Sequence, residues 1–278
     1  MTTELSPDLA RALGPDLPAD LRVRWARVLR MEWVKMRSLR STWLTLGGAV
    51  LAVVVIGTVV GYATNAHWSN VSPQERAGFD PISRSLVGVN LAQLLVGVLG
   101  VLLVSGEYAT GMVRSTFAAV PRRLPVLIAK VVLYAVVLYP VLLAATFTAF
   151  LLGQHGLSSH GTTLSAPYAL RSVFGAASYL DLIGLLAVAF GFVLRSTAGG
   201  IASLVGLLLV LPGIGQALPA SWRAHTVPYL PGPAGGALFV PHPQDQGSLH
   251  FWAGGGVLCL WVLAALMLAG VLLKRRDV

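Results

Sequence analysis

Six uninterrupted apolar runs constrain this chain more than any motif in it. They lie at 43–62, 86–105, 124–152, 172–194, 199–218 and 251–273, and a helix that crosses a bilayer needs about 20 mostly apolar residues. Backbone amides find no water in hydrocarbon, so spanning segments are helices or closed barrels. The runs are continuous and do not alternate, which argues against a barrel. Composition agrees, because charged residues are 11% and apolar residues 55% of the chain, against about 25% charged in an average soluble domain. The expected fold is an all-α polytopic membrane protein with six transmembrane helices.

Three divisions follow. Residues 1–20 carry Glu4, Asp8, Asp16, Asp20 and three prolines with no apolar core, which reads as a flexible cytoplasmic tail and not as a signal peptide. Residues 21–42 are expected to form an amphipathic interfacial helix. Trp25, Val28, Leu29, Trp33, Met36 and Leu39 recur there at three- and four-residue steps, with Arg27, Arg30 and Arg37 on another face, so the tryptophans should enter the membrane and the arginines meet phosphate. Residues 43–278 hold the six spans. The lone cysteine, Cys259, lies in the last span and has no internal partner.

Lysine and arginine set the orientation, since basic residues are retained on the cytoplasmic side. They concentrate in 11–40, between the second and third runs, at Arg195 and in the final KRR, whereas the intervening segments hold only Arg76, Arg84, Arg171 and Arg223. Both termini are therefore expected inside. The net charge of +9 follows from this asymmetry, and with no soluble domain to carry a basic patch no nucleic-acid partner is expected.

Polar residues inside spans are expensive and so informative. Asp181 is the only charge deep within a run; Lys130 lies near an end of the third and is expected to snorkel to the interface. Asp181 shares a stripe with Gly184, Val188 and Gly191, and Asn90, Gln93, Gly97 and Gly100 form a second. Small residues at this spacing let helices approach closely, so both stripes should face protein or a wet cavity. Asn90, Gln93 and Asp181 are the candidates for a substrate path. Pro140 and Pro212 each remove an intrahelical hydrogen bond and are expected to kink their helices.

Catalytic and metal-binding signatures are missing. The six histidines fall in the loops or at a span edge, where they cannot supply axial haem ligands within helices. QHGLSSH lacks carboxylates, and neither HExxH nor a GxSxG at a helix start occurs, so neither a metal site nor an enzyme is expected. A phosphate loop needs Gly-Lys-Ser/Thr, yet Lys35, Lys130 and Lys274 are the only lysines and none follows glycine.

Between the second and third runs stands SGEYATGMVRSTFAAVPRR, a compact polar element on the expected inner face. Together with RVLRMEWVKMRSLRSTW before the first run, LRSTAGG after the fourth and LLKRRD at the end, it resembles the intracellular coupling loop and surrounding plan of ABC-2 type transporter permeases, the membrane subunits of bacterial ABC exporters. The resemblance covers the chain from Arg22 onward. It implies a permease in the bacterial plasma membrane that pairs with a second permease subunit, in the first instance another copy of itself. A cytoplasmic ABC ATPase would carry the ATP and Mg, so this chain needs no cofactor. Glu107, Tyr108, Gly111 and Arg114 would then contact the ATPase. The proline-bearing YLPGPAGGALF would supply a short re-entrant external element. Two other readings stand beside it: an ion-coupled carrier using Asp181, and a non-transporting membrane sensor or scaffold.

Overall fold

The computed structural model describes residues 25–120, 123–241 and 248–276. The tail over 1–20, the first residues of the interfacial segment, and Pro121 and Arg122 lie outside them. Among the described residues there is no strand, and six helices are long and apolar enough to cross a membrane: Arg40–Ala66, Val89–Ala109, Leu124–His160, Ala169–Leu194, Thr197–Gln216 and Phe251–Arg275. The protein is a six-span helical membrane protein, and these are its first to sixth spans.

An interfacial helix, Trp25–Ser38, precedes them. It is separated from the first span by Leu39, whose extended backbone (φ −83°, ψ 110°) breaks the helix before Arg40. The Trp43 indole donates to the Arg37 carbonyl across this bend at 3.1 Å. The division at 42/43 read from hydropathy thus falls three residues earlier, because Arg40–Thr42 already turn with the span. The helix buries Val28, Glu32 and Met36 against the bundle, one residue per turn along a single stripe. Trp25 stays half exposed, and the outward face carries Arg27, Arg30 and Arg37.

The fourth span lies at the centre and the second packs along it. A methyl added at Gly100 would strike the Gly184 carbonyl and the Ala187 side chain, and one at Gly191 would meet Val104. The glycines of both stripes therefore face protein, and there they permit close helix approach. The third span runs as one helix through Pro140. The fifth span instead passes through a π segment, Gly206–Val210, just before Pro212, where the missing proline N–H is absorbed by a wider turn.

Lysine and arginine cluster at the end that carries the interfacial helix, here called the basic end. At the opposite end, Pro81–Ser85 forms a short helix before the second span, held by Gln154, whose amide donates to the Pro81 carbonyl and to Ser85 Oγ, each at 2.8 Å. The proline-rich segment there folds into Ala220–Thr226 and Pro231–Gly236. The second of these is buried at Pro231, Ala234 and Gly235 against Tyr179 of the fourth span and Gly254 of the sixth.

Candidate functional site: a buried ionic cluster and its exposed tip

SGEYATGMVRS is two helices and a turn. The second span continues through Glu107 and Tyr108 to Ala109. Gly111 then takes a left-handed conformation (φ 72°), which side chains resist and glycine does not. A short inner helix, Met112–Ala119, follows.

Glu107, on the helix before this turn, is buried in protein. Its carboxylate accepts from Lys130 Nζ at 2.7 Å and from Lys35 Nζ at 3.1 Å. Glu32 of the interfacial helix meets the same two ammonium groups, Lys130 at 2.5 Å and Lys35 at 2.9 Å. The four charges alternate in a closed ring and sum to zero. Lys35 spends its third donor on Thr116 Oγ1 at 2.9 Å, and Lys130 has the Leu103 carbonyl at 3.4 Å. Lys35 thus makes three hydrogen bonds, and Lys130 makes two beside its ion pair with Glu32, the kind of partnering under which buried ion pairs are tolerated. The side chains of Glu32 and Lys130 are each only 2% exposed.

Four elements meet in this ring: the interfacial helix, the end of the second span, the third span and the short inner helix. Lys130 does not snorkel to the interface as its position suggested. It is fully buried because two carboxylates bring it more than water would.

The four residues expected to contact an ATPase are divided by the fold. Gly111 and Arg114 lie exposed at the tip, with Thr110, Met112 and Ser115 beside them, while Glu107 is buried in the ring. Tyr108 is half-buried, its ring 5.2 Å from the Arg195 guanidinium at the end of the fourth span. Arg123 donates to the carbonyls of Leu273 and Arg276 (3.0 and 2.6 Å), and Arg276 to that of Val193 (3.0 Å). The last span is thereby tied to the same end.

The three candidate path residues occupy different levels. Asn90 is exposed and lines a cavity of about 880 Å³ at the opposite end, with Asp80, Arg84 and Phe239 among its other walls. On its rim, Glu75 accepts from the Ser72 backbone N–H and hydroxyl (3.0 and 2.9 Å), which hold its carboxyl below the usual range. Gln93 is buried, accepts from the Tyr179 hydroxyl and donates to the Asn90 carbonyl. Asp181 is buried one turn from Gly184, over which the Tyr134 hydroxyl lies. Its Oδ1 has no hydrogen-bond partner among the described residues. No group of histidine, cysteine and carboxylate side chains fit to hold a metal occurs among the described residues.

Glu32, Lys35 and Thr116 were not singled out by sequence. The usable signal was the position of Glu32 between Val28 and Met36, on the apolar stripe of an amphipathic helix. Comparison of the chain with protein-family models and with curated proteins found no match.

Proposed function

We propose that this chain is the permease subunit of an ATP-binding cassette exporter in the bacterial plasma membrane, driven by a separate cytoplasmic ATPase. The observation that carries the reading is the ionic ring: it bolts a short helix with an exposed tip to the interfacial helix and to two spans at once. A push on Gly111–Arg114 is then delivered to the second and third spans as a rigid-body displacement, because a satisfied ring of charges does not yield locally. In this reading the basic end, with both termini, faces the cytoplasm. Two copies of the chain form the pathway. Asn90 stands at its outer mouth, and Gln93 and Asp181 lie deeper.

The test is purification from native membranes through a tag on this chain. The reading expects an ATP-hydrolysing subunit to accompany it. Arg114→Glu should release that subunit while the permease remains inserted. Retention of a normal complex by Arg114→Glu and Gly111→Pro would place the contact elsewhere.

A second reading, an ion-coupled carrier, is favoured by one feature, the unpartnered Oδ1 of buried Asp181. An intramembrane acid without a partner is a functional group by default. Transport that persists without ATP and collapses with the ion gradient would select it.

A further inference from the structure

At the basic end, the third and sixth spans separate and leave an apolar groove of about 470 Å³. Ile128 and Val131 form one wall, Leu263, Met267 and Val271 the other, and Gly270 the floor. The groove ends on Lys274, which also lines it and is exposed, with no hydrogen bond or ion pair to any described residue.

We propose that this groove holds one acyl chain of an anionic phospholipid, whose headgroup phosphate pairs with Lys274. Length supports a lipid of one leaflet. From Leu263 to Lys274 the sixth span advances about 16 Å at 1.5 Å per residue, close to half of the roughly 30 Å hydrocarbon core. The ammonium thus stands at headgroup depth while the groove occupies tail depth. Charge supports an anionic headgroup, because Lys274 is exposed and has no ion pair with a described residue, whereas its neighbours Arg123 and Arg276 are bound to backbone carbonyls. Charge also argues against a second copy of the chain. A two-fold contact buries the same patch on both subunits and would bring two Lys274 side chains into one apolar interface. Exposure of Met267 and Val271 along the wall leaves the chain's entry open from the bilayer. The inference is independent of what the protein transports.

The experiment is native mass spectrometry of the purified full chain exchanged with phosphatidylglycerol or phosphatidylcholine of identical acyl chains. One lysine near the headgroups predicts about fivefold preference for phosphatidylglycerol. Lys274→Gln should erase the preference and leave both lipids bound equally. Val271→Trp and, separately, Ile128→Trp fill the groove from opposite walls and should release both lipids, with helicity and melting unchanged in at least one of them. The proposal is overturned by equal retention of the two lipids in the wild type or by a preference that survives Lys274→Gln. Lipid retained in a folded tryptophan variant overturns it too. So does an intermolecular disulfide through Met267→Cys in a Cys259→Ser background, which would assign the groove to a second copy.

Discussion

Among the described residues, two places in this bundle bury carboxylates, and they do so in opposite ways. At the basic end, Glu32 and Glu107 each meet two ammonium groups, and the whole ring is neutral and internally bonded. In the middle of the bundle, Asp181 is equally buried but keeps an oxygen with no partner among the described residues. The first arrangement holds parts together. The second leaves a polar atom costly to bury and ready to bind something, which is how structural and functional charges in a membrane differ.

The largest expected effect breaks the ring. Lys130→Met leaves two carboxylates facing Lys35 alone, and loss of one partner from a buried ion cluster costs about 3–5 kcal/mol. A fall in the detergent melting temperature should register it, and Glu107→Gln added to Lys130→Met should recover part of the loss. If Lys130→Met melts like the wild type, the ring is not the fastening described.

Asp181 should respond with the opposite sign. Asp181→Leu removes an unpartnered buried oxygen, whose desolvation costs about 1–3 kcal/mol, so stability should hold or rise while transport falls. Asp181→Asn sharpens the contrast: assembly should survive it and transport should change. Misassembly of the leucine variant with normal transport by the asparagine variant would make Asp181 a packing residue.

Gly111→Ala comes next. Space around the position is open, so the penalty is the left-handed backbone alone, about 1–2 kcal/mol, read as a modest melting shift. Arg114→Glu is the smallest on this scale. An exposed tip residue should move stability by no more than about 0.5 kcal/mol, yet partner binding should be lost, and that separation of effects distinguishes tip from ring.

The six spans were legible because twenty apolar residues in a row admit few other structures. The interfacial helix was legible from the three- and four-residue recurrence of Trp25, Leu29, Trp33 and Met36. The small-residue stripes were expected to face protein or a wet cavity, and at Gly97, Gly100, Gly184 and Gly191 the neighbour is protein. What sequence hid was pairing across distance. Glu32 and Glu107 are 75 positions apart and look like solvated surface charges, and Lys130, taken alone, looks free to reach the headgroups. The meeting of the interfacial helix with the second and third spans brings them together, and the reversal at Gly111 adds Thr116 beside Lys35. Boundaries shifted for a related reason: Glu107 and Tyr108 end a hydropathy window but not a helix, since their side chains pair within the fold.

Orientation has its own check. A cysteine at Ser158 in a Cys259→Ser background should react with an impermeant thiol reagent added to sealed cells, and one at exposed Ser115 should not. Labelling of Ser115 from outside would invert the assignment of the basic end to the cytoplasm.

The link between the tip and a motor is central to the proposed function. The direct measurement is ATP hydrolysis by the complex that purifies with the tagged chain, for the wild type, Arg114→Glu and Lys130→Met. The wild type should bring down an ATP-hydrolysing subunit. Arg114→Glu should lose that subunit, and Lys130→Met should keep it bound but uncoupled, so that transport no longer follows hydrolysis. A wild-type chain that purifies with no ATPase, or three preparations that hydrolyse ATP and transport alike, would contradict it.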